Sequence, residues 1–211
     1  TILGIDEVGR GPWAGPLVVG AVVLGPDFQD YSQEGSSAPH QPNTETSRHQ
    51  KGATSQAYAP SQHHNTPHDS TSSQPDTKYY LWENLADSKQ LSAKKRIELN
   101  RLILAHAAAH GIGWVSSSEI DRYGLSAALK LAARRAVKQI LRQATPFTEI
   151  IIDGTINLLD QTPLAERVTL LKKADSLVKE VSAASIIAKV ARDQYMVDLA
   201  TRYPNYGFES H

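Results

Sequence analysis

A segment of 46 residues, Ser32–Thr77, divides the chain, because it contains no Val, Ile, Leu, Met, Phe or Trp. Ser, Thr, Gln, Pro and His supply 31 of its residues, including five of the eight histidines of the chain. A segment with so little apolar surface cannot offset the conformational entropy lost on ordering. We therefore predict a disordered, low-complexity insertion at residues 32–77, whose histidines reflect composition, within a single domain spanning residues 1–211.

The sequence on either side of this insertion alternates between strand and helix patterns. β-rich runs at residues 2–6 and 17–24 flank a turn rich in Gly and Pro. Apolar spacing typical of helices covers three segments, 92–110, 126–144 and 181–202, the first with Ser92 as N-cap and Gly111 after its end. Further strands are predicted at 112–116, 149–153 and 167–171. Strands that pair as a hairpin and then alternate with helices predict an α/β fold, a mixed β-sheet flanked by helices with a C-terminal helical extension.

The formal charge of zero is an average over unlike segments, since Lys+Arg and Asp+Glu both number 22. Residues 1–31 carry −3, residues 32–77 carry −2 and residues 78–211 carry +5. An acidic N-terminal region followed by a basic remainder is compatible with a site that binds metal and phosphate.

Cysteine is absent, which excludes disulfides, thiolate metal sites and a cysteine nucleophile. The longest apolar run, Pro16–Pro26, is too short to span a membrane and is interrupted by Gly. The sequence opens on carboxylates where a signal peptide would carry basic residues. These features predict a cytoplasmic protein without membrane association.

Four carboxylates lie where predicted elements end or begin. Asp6 and Glu7 end the first strand, Asp153 ends a strand of three isoleucines, and Asp175 precedes a helix of small residues. Strand ends from distant parts of a sequence can converge in a sheet, and clustered carboxylates suit Mg²⁺ or Mn²⁺. Each acid alone is also explained by an ordinary turn, helix start or exposed pair. Alternation along a strand would moreover send Asp6 and Glu7 to opposite faces unless the strand ends there.

A series of motifs in fixed order surrounds these acids. They are Gly4–Pro16 (GIDEVGRGPWAGP), Val18–Leu24 (VVGAVVL), Asp87–Leu91 (DSKQL) with the following Lys94–Arg96, Asp153-Gly154, Lys173–Val178 (KADSLV), Val181–Asp193 (VSAASIIAKVARD) and Tyr203–His211 (YPNYGFESH). Together they resemble the motifs of the ribonuclease HII family, over nearly all of the chain outside the insertion. In that family the last motif continues His-Lys-Gly-Tyr, so the family tail that would follow His211 is expected to be missing.

The resemblance implies a ribonuclease H-like fold and assigns roles to individual residues. Catalysis and the binding of two divalent ions, Mg²⁺ or Mn²⁺, would fall to Asp6, Glu7, Asp153 and Asp175. The substrate-binding residues would be Gly9, Arg10 and Gly11, which read the ribose, and Lys89 and Lys173, which contact phosphates. Lys94, Lys95 and Arg96 are instead interpreted as a solvated helix face. Because four clustered carboxylates repel one another, we expect at least one raised pKa in the metal-free state.

The function implied is that of an endoribonuclease acting as a monomer on RNA–DNA hybrids or on duplex DNA that contains ribonucleotides. It would cut 5′ of an embedded ribonucleotide by two-metal-ion catalysis and leave 5′-phosphate and 3′-hydroxyl ends. Two alternatives stay open at this point: a related metal nuclease of the same fold acting on DNA junctions, and a non-catalytic protein that binds hybrids.

Overall fold

Five strands form one mixed sheet in the computed structural model, which describes residues 1–12, 14–28, 77–85 and 91–210. The strands are β1 (Ile2–Val8), β2 (Leu17–Val23), β3 (Ala109–Val115), β4 (Glu149–Asp153) and β5 (Val168–Leu171). Their order in the sheet is β3-β2-β1-β4-β5. The first three strands are antiparallel neighbours, whereas β4 runs parallel to both β1 and β5. The predicted insertion lies outside the described residues except for Thr77.

Helices cover both faces of the sheet, so the predicted α/β architecture is confirmed. They are α1 (Thr77–Asn84), α2 (Ala93–His106), α3 (Ser117–Tyr123), α4 (Leu125–Arg142), α5 (Ala174–Leu177) and α6 (Lys179–Arg202), with 3-10 turns at Pro26–Phe28, Ala165–Arg167 and Phe208–Ser210. The amphipathic α4 packs on β2 and β3, and the long α6 packs on β1 and β2. Within the described ranges, no helix combines the length and apolar character needed to cross a membrane.

Glycines in the sheet let both long helices lie directly on the strands. A Cβ added at Gly113 would stand 1.9 Å from the carbonyl oxygen of Ala132 in α4. One added at Gly20 would stand 2.1 Å from the carbonyl oxygen of Ala184 in α6. Any larger residue would push the helix away, and protein interiors tolerate little such displacement. The close seat of α6 matters for function, because it brings side chains of that helix to the end of β1.

The structure moves several predicted boundaries and adds three short helices, α1, α3 and α5; β1 runs on to Val8 instead of ending at Asp6, and β3 begins at Ala109 instead of residue 112. Ser92 caps α2 as predicted, its hydroxyl accepting from the backbone N–H of Lys95 at 3.3 Å, but the helix ends at His106 instead of residue 110. Residues 109–115 pair with β2 along their whole length and alternate between buried and half-buried. Strand pairing therefore prevails over local helix preference there. The unpredicted α3 begins at a capping box formed by Ser116 and Glu119.

Candidate active site

Two neighbouring parallel strands bring the predicted acids to one edge of the sheet. The register pairs Ile5 of β1 with Ile152 of β4, so Asp6 and Asp153 follow side by side at the carboxyl ends of these strands. A cavity of about 370 Å³ opens at this edge. We call it the acid cavity; it is lined by Asp6, Glu7, Val8, Arg96, Asp153, Ser185, Ile186 and Lys189. β1 continues past these residues to Val8. Asp6 and Glu7 nevertheless both line the acid cavity.

Asp6 is a buried carboxyl group of the acid cavity. Its side chain is buried, accepts from the backbone N–H of Glu7 at 2.8 Å and receives a hydrogen bond from the Ser185 hydroxyl. Burial raises the pKa of Asp6 to about 7; the Ser185 hydrogen bond opposes the rise, and the charges of Glu7 and Asp153 add to it. The expected raised pKa is confirmed, but desolvation contributes more to it than repulsion between carboxylates.

Asp175 does not line the acid cavity, but its neighbour Ala174 is bonded to an acid of that cavity. It is fully buried in the first turn of α5. The preceding residue, Ala174, donates its backbone N–H to Asp153 Oδ1 at 2.8 Å, which ties the start of α5 to the end of β4. As the side chains stand in the described part of the chain, no three acidic or histidine residues are grouped so that they could hold a metal ion. Asp6, Glu7 and Asp153 thus line one cavity without forming a closed ligand group, and Asp175 is connected to Asp153 through the backbone of its neighbour Ala174.

Gly9, Arg10 and Gly11 lie in a second cavity beside the first. This loop cavity measures about 360 Å³ and is lined by Gly9, Arg10, Gly11, Pro12, Gly15, Ser117, Ile120, Asp121 and Leu125. Gly9 has a φ of +92°, in the region that favours glycine. The half-exposed Arg10 Nη1 stands 3.7 Å from Glu7 Oε1, so an ion pair connects the two cavities.

The basic residues at the acid cavity differ from those predicted. Lys173 is exposed and adopts a left-handed conformation just before α5, and it does not line this cavity. Lys89 lies outside the described residues. Arg96 and Lys189 line the cavity instead, from α2 and α6. The interpretation of Arg96 as part of a solvated helix face is wrong, because this side chain borders the acids.

Sequence reasoning assigned no role to Ser185 and Lys189, although the motif that holds them was noticed. These residues are four apart, so they share one face of α6. That helical spacing, combined with a polar pair in a run of small apolar residues, was the available signal.

The mixed five-stranded sheet flanked by helices is a ribonuclease H-like fold. The chain is similar in fold to the ribonuclease H2 from Pyrococcus horikoshii OT3, with a TM-score of 0.62, 23% identity and coverage of 98% of this chain and 78% of that one. It is similarly close to Bst-RNase HIII in complex with Mn²⁺, with a TM-score of 0.61, 22% identity and coverage of 95% and 54%.

The sequence pattern of the family described as ribonuclease HII matches residues 3–34 and 76–211. The ribonuclease HII of Geotalea uraniireducens (strain Rf4) is 33% identical over 210 residues, which cover 100% of this chain and 70% of that protein. The chain therefore belongs to the ribonuclease HII family, as its motifs predicted, and it is a ribonuclease H-type endonuclease. The family match passes over residues 35–75, all within the segment predicted to be an insertion.

Proposed function

We propose that this chain hydrolyses the RNA strand of RNA–DNA hybrids and cuts 5′ of single ribonucleotides in duplex DNA, using two divalent metal ions. One observation carries the proposal: Asp6, Glu7 and Asp153 line a single cavity at the shared carboxyl end of β1 and β4. Such a cluster of carboxylates favours a cation, because a cation offsets both the desolvation and the mutual repulsion of the acids.

The residues of the acid cavity fit Mg²⁺ or Mn²⁺. Its acids offer oxygen ligands only, the type that these hard cations prefer. Burial holds the pKa of Asp6 near 7, so a bound cation would replace a proton there at neutral pH. Asp175 is proposed as the fourth ligand, since the Ala174–Asp153 hydrogen bond holds its helix beside the cavity. A solved RNase HIII neighbour is a Mn²⁺ complex, which supports the choice of metal.

The chemistry divides between the metal ions and the protein. Two bound ions would activate an attacking water and stabilise charge on the leaving 3′ oxygen. Asp6, Glu7, Asp153 and Asp175 would hold them, while Arg96 and Lys189 offer positive charge to the phosphate that enters the cavity. Because water attacks rather than the 2′-hydroxyl, the products carry 5′-phosphate and 3′-hydroxyl ends.

Recognition of the ribose is proposed for Gly9, Arg10 and Gly11. A protein can distinguish RNA from DNA at a given position by contacting the 2′-hydroxyl. Glycines without side chains permit the close backbone approach that such a contact needs, and the loop cavity lies directly beside the acid cavity. Contacts of Lys89 and Lys173 with flanking phosphates stay predictions, as do a monomeric state and a cytoplasmic location.

A panel of labelled substrates tests the proposal. It contains a duplex with one ribonucleotide, an RNA–DNA hybrid, an all-DNA duplex and a DNA four-way junction, each incubated with Mg²⁺ or with Mn²⁺. We expect cutting of the first two, on the 5′ side of the single ribonucleotide, with a 3′ end that a DNA polymerase extends. Cutting of the junction with the ribonucleotide duplex intact would instead support a junction nuclease. Binding of hybrids without cleavage at any metal concentration, unaffected by Asp153→Asn, would support a non-catalytic role.

A further inference from the structure

One buried arginine links the long C-terminal helix to the loop between β1 and β2. Arg192, in the middle of α6, is 1% exposed. Its Nε donates to the carbonyl oxygen of Pro16 at 3.0 Å, and its Nη2 donates to that of Ala14 at 2.9 Å. Both carbonyls belong to the glycine loop, which we define as the described residues 9–12 and 14–16. One guanidinium group thus holds two points of this loop.

Two glycines of the loop, Gly9 and Gly15, lie directly against side chains of α6. A Cβ added at Gly9 would stand 2.6 Å from Arg192 Nε and 2.6 Å from the carbonyl oxygen of Pro16. One added at Gly15 would stand 2.4 Å from Met196 Sδ. Both glycines have positive φ, +92° and +84°, so the loop conformation and its contact with Arg192 depend on each other. Arg192 and Met196 therefore support the inner side of the loop, whose outer side lines the loop cavity.

The chemistry of arginine suits this task better than that of other residues. Burying a cation costs free energy unless its donors are satisfied, and burial lowers the pKa of Arg192. A planar guanidinium presents several donors in a fixed fork, whereas the ammonium of lysine is a single point with rotating donors. An arginine at this position can fix both the distance and the direction of two carbonyls at once.

Arg192 also shares a face of α6 with residues of the acid cavity. Ser185, Lys189 and Arg192 follow a spacing of four and three residues, which aligns them along one side of the helix. Ser185 donates to Asp6, and Lys189 lines the acid cavity. The same rigid helix thus contacts the acids and the glycine loop, so it sets the position of the loop relative to the acids.

We propose that Arg192 is a positioning residue for substrate selection: it holds the glycine loop so that the backbone of Gly9, Arg10 and Gly11 distinguishes ribose from deoxyribose. This inference rests on the proposed ribose-reading function of that loop. It concerns discrimination, because the two carbonyls that Arg192 binds, those of Ala14 and Pro16, both lie in the loop. Losing the guanidinium should therefore reduce the preference for a ribonucleotide and leave general affinity for duplex DNA in place.

Two substitutions and one matched control test the role of Arg192. Arg192→Met removes the donors and keeps a long side chain, and Arg192→Lys keeps the charge should the first variant fold poorly. The control is Arg167→Met, because Arg167 also donates to a backbone carbonyl, that of Phe147 at 2.8 Å. Arg167 lies at the amino end of β5, whereas Asp153 lies at the carboxyl end of the parallel neighbour β4. All proteins carry Asp153→Asn to prevent cleavage during binding measurements.

Two quantities are measured for each protein. The first is the ratio of the Kd for an all-DNA duplex to the Kd for the same duplex with one ribonucleotide. Since one or two hydrogen bonds to the 2′-hydroxyl are at stake, we expect this ratio to fall about five- to tenfold in both Arg192 variants. The second is hydrogen exchange of peptides covering residues 9–16, which should become faster in the same variants. Arg167→Met should change neither quantity.

The outcomes separate this inference from the function on which it rests. A protein with Arg192 intact that shows no preference for the ribonucleotide overturns the proposed function, and the role of Arg192 with it. A normal preference that persists in Arg192→Met and Arg192→Lys overturns the role of Arg192 alone, whether or not exchange in the loop becomes faster. Faster exchange together with a lost preference, in either variant that keeps its fold by circular dichroism, supports the inference.

Discussion

The acid cavity and the loop cavity have nearly the same volume, about 370 and 360 Å³, but they are lined by different types of residue. The acid cavity gathers carboxylates at strand ends, with Asp6 buried and its pKa raised to about 7. The loop cavity is lined by three glycines and by residues of the short helix α3, which is largely exposed. The acid cavity, where bond cleavage is proposed, holds carboxylates that are costly to bury. The loop cavity, where recognition of the sugar is proposed, holds glycines that allow close approach of the backbone. Substitutions in the acid cavity should therefore lower the cleavage rate, whereas substitutions in the loop cavity should lower the preference for ribonucleotides.

The largest expected effect comes from Asp153→Asn in the acid cavity. The amide keeps the shape of the side chain and can still accept from Ala174, but it removes a negative charge proposed to bind metal. We expect cleavage of a ribonucleotide-containing duplex to fall by at least ~10³-fold, since metal catalysis contributes several kcal/mol to the barrier. Single-turnover cleavage rates check this. A loss smaller than about tenfold would remove Asp153 from the proposed ligand set, and a lost preference for ribonucleotides would break the separation of the two cavities.

A second effect concerns stability and the pKa of Asp6. Because the pKa is about 7 in the folded state and 3.8 as the reference value, the native state binds the proton more tightly between these pH values. The free energy of unfolding should therefore fall as pH rises from about 4 to about 7, by up to roughly 4 kcal/mol. Asp6→Asn should abolish that fall. Urea unfolding in a chelator at pH 5 and pH 8 measures it.

The matched control for Asp6→Asn is Asp121→Asn, which changes an exposed acid of the loop cavity. Exposed carboxylates contribute little to stability, so this variant should follow the pH dependence of the unsubstituted protein. Equal behaviour of Asp6→Asn and Asp121→Asn would mean that burial of Asp6 has no energetic consequence, which would contradict the contrast between the cavities.

A third prediction compares two glycines of the loop. Gly9→Ala adds a Cβ at positive φ and against the carbonyl of Pro16, so we expect a loss of about 1–3 kcal/mol in stability. Gly11→Ala meets nothing within 4 Å and should leave stability within about 0.5 kcal/mol. If Gly11 lies against the ribose, the same methyl group should nevertheless lower kcat/KM about tenfold. Thermal unfolding and steady-state kinetics, measured together, check the pair.

The smallest predicted effect distinguishes two lysines. Lys189 lines the acid cavity and Lys173 does not, so Lys189→Ala should lower kcat/KM for the ribonucleotide duplex about tenfold and Lys173→Ala about twofold. Both should weaken binding more at low salt than at high salt. Cleavage measured across a salt series gives the two slopes. A larger loss for Lys173→Ala would favour the original assignment of Lys173 as the phosphate contact over the position of Lys189.

Much of the fold could be predicted from local sequence patterns. The end of α2, predicted at residue 110 but found at His106, shows a limit of such patterns. The alanine-rich segment 105–110 has the composition of a helix, yet α2 ends at His106 and β3 begins at Ala109, because β3 pairs with β2 along its full length. The N-cap of α2 depends on neighbours in sequence, and it was predicted correctly from Ser92 alone. Pairing across 90 residues leaves no comparable local signal.

The residues of the site likewise fall into those that local sequence identifies and those that only the packed structure reveals. Asp153 ends β4 and Asp6 lies two residues before the end of β1, so acids near the ends of apolar strands pointed to a shared site, but the pairing of β1 with β4 is seen only in the structure. The sequence gives Arg192 no role of its own, because its partners at residues 14 and 16 lie far away in sequence. Arg96 was misassigned since nothing local tells which face of α2 borders the acids. Side chains that act across elements require the packed structure.

The central claim is that Asp6, Glu7, Asp153 and Asp175 together hold two divalent ions. Crystals soaked in Mn²⁺ and measured for anomalous scattering test it directly. The account predicts two peaks about 3.5–4 Å apart at the acid cavity, with oxygen atoms of all four carboxylates as ligands. Absence of Mn²⁺ from the acid cavity, or a single ion bound without Asp6 and Asp153, would contradict it.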